Sequence, residues 1–98
     1  MNLEELYEII EDRRQKMPDN SYVASLFREG KDRIIQKVGE ESIEVVIAAK
    51  NESRNRLISE VADLIFHILV LLSGYKITLE DVEKELARRR SSSLKQKG

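Results

Sequence analysis

Two long helical patterns separated by a short polar turn constrain the fold of this 98-residue chain more than any other feature. The first runs from about Lys31 to Lys50, the turn is Asn51-Glu52-Ser53, and the second pattern continues to about Ser73. In both patterns apolar residues recur every three or four positions, which places them on one side of a helix. Helices joined by so short a turn pack as antiparallel neighbours. The chain is therefore expected to be built around a helical hairpin.

Shorter helical patterns precede the hairpin and complete an all-α prediction of four to five helices. The first helix is predicted over roughly residues 3 to 16, with Asn2 as its N-cap. Pro18 ends it, because the residue before a proline avoids helical geometry. Ser21 is suited to cap a short second helix, and Gly30 breaks or bends the chain after it.

The C-terminal part of the chain predicts one more helix and a tail. Gly74 is expected as the residue just beyond the fourth helix. Thr78 opens a capping-box-like start for a fifth helix, which runs to about Arg90. Residues 1–90 are therefore predicted to form a single domain. Residues 91–98 are predicted to be a frayed polar tail.

Composition favours a soluble helical protein that gains stability from self-association. The residues are 36% charged and 41% hydrophobic, and the absence of cysteine excludes disulfides and thiolate metal sites. A net charge of -1 gives no overall field that would attract nucleic acid or a membrane surface. The longest apolar run, residues 64 to 72 around His67, is far shorter than the ~20 residues that span a bilayer. We therefore expect a cytoplasmic protein, without nucleic acid or membrane partners, whose small bundle is completed by dimerisation.

Carboxylates interrupt the apolar sides of both long helices. Glu41 and Glu60 occupy positions where core residues are expected, and Glu44 and Asp63 follow one turn later on the same sides. At a rise of ~1.5 Å per residue, the two acid pairs lie at similar heights on antiparallel helices. Carboxylates in an apolar setting are costly unless they are paired or bind a metal, so their convergence predicts a cation site. Ligands that are all oxygen suit Mg²⁺, with Mn²⁺ as the second choice.

The acids also allow an interpretation without a metal. Lys37, Arg54 or Arg56 would neutralise an acidic cluster, or the acids would lie on a solvated helix side. His67, one turn after the second acid pair, is either a satisfied buried side chain or a support for a ligand carboxylate. Gly39 costs ~1 kcal/mol relative to alanine inside a helix. It marks either simple tolerance or the close approach of another backbone or a ligand.

The residues around the acids narrow these motifs to a known family. Lys37-Val38-Gly39-Glu40-Glu41 with Glu44, and Glu60-Val61-Ala62-Asp63 downstream, resemble the phosphoribosyl-ATP pyrophosphohydrolases of the all-α, MazG-like nucleotide pyrophosphatase superfamily. The resemblance covers roughly residues 3 to 90 through further matching segments: Ile10 to Arg13, Ser21-Tyr22, His67 to Leu72 and Ile77 to Val82. Val23 and Ser42 depart from it, since Thr and Ala are usual there.

The resemblance implies an enzyme of the second step of histidine biosynthesis. Such enzymes hydrolyse phosphoribosyl-ATP to phosphoribosyl-AMP and pyrophosphate with Mg²⁺, and they act as homodimers or larger homo-oligomers. The metal ligands of the superfamily correspond to Glu41, Glu44, Glu60 and Asp63. Glu40 corresponds to a further ligand or to the base for the attacking water.

The resemblance also assigns substrate contacts. Positions expected to hold phosphate or ribose correspond to Arg13, Ser21, Tyr22 and Lys37. Lys37 is also expected to stabilise the leaving pyrophosphate, so the predicted catalytic residues are Glu40, Glu41 and Lys37. Two alternative functions stay open. One is a house-cleaning pyrophosphatase for abnormal nucleoside triphosphates, and the other is a non-enzymatic helical dimer whose acids only keep it soluble.

Overall fold

Five α-helices make up residues 1–90, the part of the chain that this computed structural model describes. Their bounds are α1 Leu3–Lys16, α2 Tyr22–Glu29, α3 Lys31–Lys50, α4 Arg54–Gly74 and α5 Leu79–Arg90. Since no strand occurs over that range, the all-α prediction is confirmed. Helices α3 and α4 form the predicted hairpin and share the most extensive packing of any helix pair. The predicted polar tail, residues 91–98, lies outside the described residues.

Side chains at the helix starts explain where the helices begin. Asn2, Ser21 and Ser53 each have extended backbone, and each accepts a hydrogen bond from the N–H group three residues further on. Helix α5 has a reciprocal cap, in which the Asp81 N–H donates to the Thr78 hydroxyl at 3.0 Å and the Thr78 N–H donates to the Asp81 carboxylate at 2.9 Å. These bonds satisfy N–H groups that a helix start leaves without partners.

The end of α4 differs from the prediction. Gly74 belongs to the helix, and the residue in the left-handed region is Lys76, with φ 59°. The Ile77 N–H donates to the Leu72 carbonyl at 2.9 Å and so closes the helix end. A Cβ on Gly74 would only reach van der Waals contact with Phe27, at 3.5 Å. The prediction that Gly74 terminates α4 is therefore wrong, because a lysine makes the left-handed turn two residues later.

A small core holds the first four helices together. Its buried apolar side chains are Ile10, Val23, Ala24, Leu26, Ile34, Ala48, Leu69 and Val70. Helix α5 contributes no buried residue. It joins the rest through Leu79, which packs against the core, and through the preceding loop, where the Tyr7 hydroxyl donates to the Ile77 carbonyl at 2.7 Å. The core therefore lies between α1, α2, α3 and α4, with α5 at its edge.

The two departures from the family pattern occupy structural positions. Val23 is buried in the core cluster, so it has no access to a ligand there. The Ser42 hydroxyl donates to the Val38 carbonyl one turn earlier, at 2.8 Å. That bond satisfies the hydroxyl within its own helix. Ser42 therefore has a local role within α3.

Helix α4 is more apolar than its longest uninterrupted run suggests. It has 21 residues, and its most apolar 18-residue window has a mean hydropathy of 1.8, so length and composition alone would allow it to cross a membrane. The uninterrupted apolar run therefore understates the hydropathy of the whole helix. Core helices of soluble proteins pass the same test, and α4 packs against α3 and α1 and carries Glu60 and Asp63. Only 22% of that window is buried within the protomer.

A buried hydrogen-bond network fixes α1 against the end of α4. Ser73 is fully buried, and its hydroxyl donates to the Glu11 carboxylate. Arg14 donates from Nε to the same hydroxyl at 3.0 Å and forms an ion pair with Glu11, also at 3.0 Å. The hydrogen bond from Arg14 is the main reason why the pKa of Glu11 lies below its usual range. The folded state therefore favours the ionised form of Glu11.

This network predicts a specific loss of stability in acid. Because the pKa of Glu11 is lower in the folded chain, its ionised form stabilises the fold above the unfolded pKa of about 4.3 and ceases to do so as the pH falls through the folded pKa. We expect Glu11→Gln to lower the free energy of unfolding by about 1–3 kcal/mol at neutral pH. The difference from wild type should begin to shrink as the pH falls below the unfolded pKa and should be lost below the lowered folded pKa, where the native carboxyl is protonated as well. Urea unfolding followed by circular dichroism at neutral pH and at low pH measures this difference.

Glu8→Gln, on an exposed position of α1, is the matched control. A difference for Glu11→Gln that did not change with pH would contradict the assignment.

Candidate active site

Three carboxylates converge between α3 and α4. Glu41 of α3 and Glu60 and Asp63 of α4 each offer one oxygen atom, and these three atoms lie within 4.8 Å of one another. Only 14% of the Glu41 side chain and 17% of the Glu60 side chain are exposed, whereas Asp63 is an exposed residue. The site is thus a half-buried acidic cleft, with Asp63 on its solvent side. We refer to these three residues as the acid cluster.

The acid cluster has the chemistry of a divalent-cation site. Its donors are carboxylate oxygens alone, which hard cations prefer. Ligand oxygens at 2.0–2.1 Å from Mg²⁺ lie within about 4.2 Å of one another, so small side-chain rotations suffice to bring the three onto one ion. Like charges at such distances repel one another. The residues present therefore fit a divalent metal.

Glu44 lies apart from the acid cluster. Three residues along a helix turn through about 300°, so Glu44 is rotated by about 60° from Glu41. The Glu44 side chain is 44% exposed, and its carboxylate accepts a hydrogen bond from Nη2 of Arg56 at 3.2 Å. The structure therefore brings together three of the four predicted metal ligands. Coordination by Glu44 stays a prediction and requires its side chain to leave Arg56.

Lys37 and Glu40 flank the acid cluster on α3. The Lys37 ammonium lies 3.4 Å from the Glu41 carboxylate and 3.8 Å from that of Glu40. Glu40 is about half exposed, and it accepts a hydrogen bond from the Gln36 side chain at 2.9 Å. Glu40 does not share the close grouping of the other three acids. Its position suits a base near the cleft better than a ligand inside it.

His67 connects α2 to the acid cluster. It is buried, and Nδ1 lies 2.7 Å from the Asp63 carbonyl, so we assign the ring proton to Nδ1. Nε2 then accepts a hydrogen bond from the Tyr22 hydroxyl at 3.0 Å. Since both ring nitrogens are engaged, His67 is placed as a support and not as a metal ligand. It bonds to the backbone of Asp63, however, and not to a ligand carboxylate as predicted.

An exposed aromatic surface lies beside this histidine. The Tyr22 ring is 51% exposed and stacks on Phe66, with ring centroids 6.0 Å apart and planes inclined by 22°. Phe66 in turn meets His67 edge-on at 5.0 Å. Sequence reasoning missed Phe66, because it lies in an apolar run where nothing distinguishes it from core residues. One signal in the sequence could have indicated its role, namely that an aromatic residue directly precedes His67.

Two predicted substrate contacts lie elsewhere. Arg13 pairs with Asp12 on its own helix at 2.6 Å. The Ser21 hydroxyl accepts the capping hydrogen bond of the Ala24 N–H at 3.1 Å. Within residues 1–90 neither side chain bonds to the acid cluster. Their roles in substrate binding therefore stay predictions.

Asp63 offers a clean test of cation binding, because within residues 1–90 it forms no ion pair. We expect Asp63→Asn to keep or slightly raise the melting temperature without added metal, since it relieves repulsion and breaks no ion pair. Wild type should be stabilised by saturating Mn²⁺, and Asp63→Asn should lose most of that gain. Differential scanning calorimetry with and without Mn²⁺ measures both effects. Asp32→Asn, at an exposed acid of α3, should keep the full gain. An equal gain in Asp63→Asn would exclude this cluster as the cation site.

The fold and the acid cluster together define a class of protein. A helical protomer that gathers carboxylates between two antiparallel helices, beside a lysine and an exposed aromatic ring, has the architecture of the all-α, MazG-like nucleotide pyrophosphatases. Residues 3–90 match the family described as phosphoribosyl-ATP pyrophosphohydrolase. The chain belongs to that family.

Relatives from three organisms align over most of this chain and are about half identical to it. A protein of Pelotomaculum thermopropionicum is 54% identical over 88 residues, which cover 90% of this chain and 90% of that protein. A protein of Geobacter sulfurreducens is 50% identical over 91 residues, covering 93% of this chain and 84% of its own length. A protein of Metallosphaera sedula is 53% identical over 87 residues, which cover 89% of this chain and 94% of that protein. Each of the three is named phosphoribosyl-ATP pyrophosphatase.

Proposed function

We propose that this protein hydrolyses phosphoribosyl-ATP to phosphoribosyl-AMP and pyrophosphate, using Mg²⁺ bound at the acid cluster. Membership of the family supports the reaction and its place as the second step of histidine biosynthesis. The single structural observation behind the site is the convergence of Glu41, Glu60 and Asp63 within 4.8 Å. Mn²⁺ suits the same oxygens. A family of soluble biosynthetic enzymes favours the cytoplasm as its place of action.

The chemistry needs a water molecule, a proton acceptor and stabilisation of the leaving group. A cation at the acid cluster would supply neutralisation of the polyphosphate and activation of the attacking water. Glu40, beside the cleft, is suited to accept the proton of that water on its carboxylate. As water adds to phosphorus and the phosphoanhydride bond breaks, negative charge moves onto pyrophosphate. The Lys37 ammonium, next to Glu41, stabilises that charge.

The proposed substrate contacts outside the acid cluster lie on α1 and at the start of α2. Tyr22 offers its exposed ring and the hydroxyl that His67 orients, so it is suited to the ribose or the base at the α2 side of the cleft. Arg13 and Ser21 are proposed to hold phosphate or ribose. Each would do so by exchanging its present bond, to Asp12 or to the Ala24 N–H, for one to the substrate.

The proposed function is tested by pyrophosphate release from phosphoribosyl-ATP. We expect turnover that requires Mg²⁺ and stops when EDTA removes it. Glu41→Gln should lower kcat/KM by about 10²-fold or more, because it removes the most buried carboxylate of the cluster. Glu83→Gln, on an exposed position of α5, should retain wild-type rates. Equal rates for wild type and Glu41→Gln would contradict the site.

A substrate panel separates this function from the alternatives. A preference for free nucleoside triphosphates, dUTP among them, over phosphoribosyl-ATP would support a house-cleaning enzyme. Calorimetry that detected no heat with Mg²⁺ and a nucleotide, together with no thermal stabilisation, would support a non-enzymatic helical protein.

We further propose that two copies assemble through one side of α3. Four apolar side chains on that side are exposed by 40% or more: Ile35, Ile43, Val46 and Ile47. Gly39 lies on the same side of the helix. A Cβ at Gly39 would meet nothing within 4 Å, so the backbone there is open to a second helix. The Cα radius of gyration is 15.2 Å, against about 13 Å for a compact chain of this length. A second copy would cover the apolar surface that this open protomer leaves exposed.

Ile43→Glu tests this assembly. The side chain is 61% exposed in the protomer, so the substitution removes little packing inside one copy and places a charge in the proposed interface. Light scattering after size exclusion should give a dimer or larger species for wild type and the 11.4 kDa monomer for the variant. Ile9→Glu, at an exposed position on α1, is the control and should assemble like wild type. An unchanged mass for Ile43→Glu would place the interface elsewhere.

A further inference from the structure

An exposed tyrosine at the start of α2 has its hydroxyl turned into the protein. Tyr22 is an exposed residue, yet its hydroxyl donates to Nε2 of the buried His67 at 3.0 Å. Water satisfies the hydroxyl of a surface tyrosine at similar cost, so a bond to a buried partner mainly fixes the direction of the ring. The structure thus holds the Tyr22 ring in one orientation at the surface.

Phe66 and His67 support one side of this ring. Phe66 stacks on Tyr22 with centroids 6.0 Å apart and planes inclined by 22°, whereas His67 meets Tyr22 edge-on, at 5.9 Å and 82°. Both are favourable arrangements of aromatic rings. Since Phe66 covers one face of the Tyr22 ring, the exposed part of the ring includes the opposite face. That face, which we call the open face of Tyr22, is a flat apolar surface in contact with solvent.

The open face is close to the acid cluster. Nδ1 of His67 lies 2.7 Å from the carbonyl oxygen of Asp63, so two hydrogen bonds in series link Tyr22 to the backbone of an acid-cluster residue. His67 follows Asp63 by one helical turn, a rise of about 5.4 Å. A ligand whose phosphates reach the acid cluster can therefore place an adjoining group over the Tyr22 ring.

We propose that the adenine of the substrate stacks on the open face of Tyr22, and that His67 is the positioning residue that holds the ring for it. This inference rests on the proposed function, which supplies the substrate. A nucleic-acid base has a flat π surface that stacks on aromatic side chains, whereas a ribose has none. The Tyr22 hydroxyl gives its one proton to His67, so it has none to donate to sugar hydroxyls. Tyr22 therefore offers a nucleotide its ring.

The chemistry of phosphoribosyl-ATP favours recognition through a face of its base. Its adenine carries one ribose on the imidazole ring and a second on the pyrimidine ring, so sugars occupy two of its edges. Fewer edge atoms are left for hydrogen bonds, while both faces stay free. Stacking of one base on an aromatic side chain corresponds to about 5- to 150-fold in affinity.

The test removes the ring and compares two ligands that differ by the nucleoside. α,β-Methylene-ATP carries adenosine and resists cleavage at the bond that the proposed reaction breaks, whereas inorganic tripolyphosphate has phosphates alone. At saturating Mn²⁺, Tyr22→Leu should bind α,β-methylene-ATP about 5- to 100-fold more weakly, because the base loses its stacking partner. Its affinity for tripolyphosphate should stay within about 2-fold of wild type. Isothermal titration calorimetry measures both affinities.

Tyr75→Leu is the matched control. Tyr75 is exposed to a similar degree as Tyr22, and it follows the end of α4, about 18 Å along the helix from Asp63. Tyr75→Leu should bind both ligands like wild type. With phosphoribosyl-ATP, Tyr22→Leu should raise KM and leave kcat within about 3-fold, as expected when binding common to ground state and transition state is lost.

Two competitors separate the base from the ribose. AMP and ribose 5-phosphate differ only by the base, and both are measured as competitors of α,β-methylene-ATP. In wild type, AMP should compete at least about 5-fold more strongly than ribose 5-phosphate. Tyr22→Leu should remove most of that preference.

A double-mutant cycle tests the positioning role of His67. Tyr22→Phe keeps the ring and removes its bond to His67, so it should lose part of the affinity for α,β-methylene-ATP that Tyr22→Leu loses. His67→Leu should weaken the same ligand in the wild-type background and add less than about 2-fold in the Tyr22→Leu background, because no ring is left to position. A general structural role would act in both backgrounds and would weaken tripolyphosphate as well. Melting temperatures verify folding, and the variants of the exposed Tyr22 decide the question if His67→Leu does not fold.

Several outcomes would overturn the proposal. If Tyr22→Leu binds α,β-methylene-ATP like Tyr75→Leu, the base does not stack on Tyr22, although Mg²⁺-dependent pyrophosphate release would show that the proposed function stands. If wild type binds AMP and ribose 5-phosphate alike, the ring does not recognise the base. If Tyr22→Leu dissociates the assembled protein in light scattering, the open face belongs to an interface between copies. If wild type releases no pyrophosphate from phosphoribosyl-ATP, the proposed function fails, whatever the variants bind.

Discussion

Repulsion among three carboxylates is the constraint on which the α3–α4 hairpin depends. The apolar sides of the two helices bring them into contact, and the same contact places Glu41, Glu60 and Asp63 within 4.8 Å of one another. Lys37 and Arg56 offset part of that charge, each one turn before an acid of its own helix. Because the three carboxylates repel one another, a divalent ion bound among them would stabilise the folded hairpin. Under the proposed function, stability and catalysis would therefore use the same ligands.

The rest of the protomer orients what surrounds the cleft. Burial of Val23 and Leu26 docks α2 on the core and leaves Tyr22 on the outer side of that helix. There its hydroxyl meets His67, whose ring is held by the Asp63 carbonyl. Packing of a small helix thereby fixes an exposed ring next to the acid cluster. The core that does this is small, and one apolar side of α3 stays exposed in the protomer.

Local interactions explain which features could be predicted from the sequence. Helix starts follow from single capping side chains, such as Ser53 and Thr78, whose bonds reach only three residues along the chain. The contact between Glu44 and Arg56 could not be predicted from spacing along the chain. Glu44 follows Glu41 by three residues, just as Asp63 follows Glu60, so spacing along the chain does not show that only Asp63 joins the acid cluster. The register between α3 and α4 then decides that Glu44 meets a guanidinium, and no motif in either helix encodes that register.

Antiparallel packing gives the cleft two unlike ends. His67, with Tyr22 and Phe66 beside it, lies one turn beyond Asp63 on α4, and this end coincides with that of Lys37 on α3. Arg56 lies at the other end. Under the proposed function, the aromatic rings would contact the nucleoside part of the substrate at the first end. Lys37 would lie at this same end, next to Glu41. The antiparallel hairpin thus gives the cleft two chemically different ends, one with aromatic rings and a lysine and the other with a guanidinium.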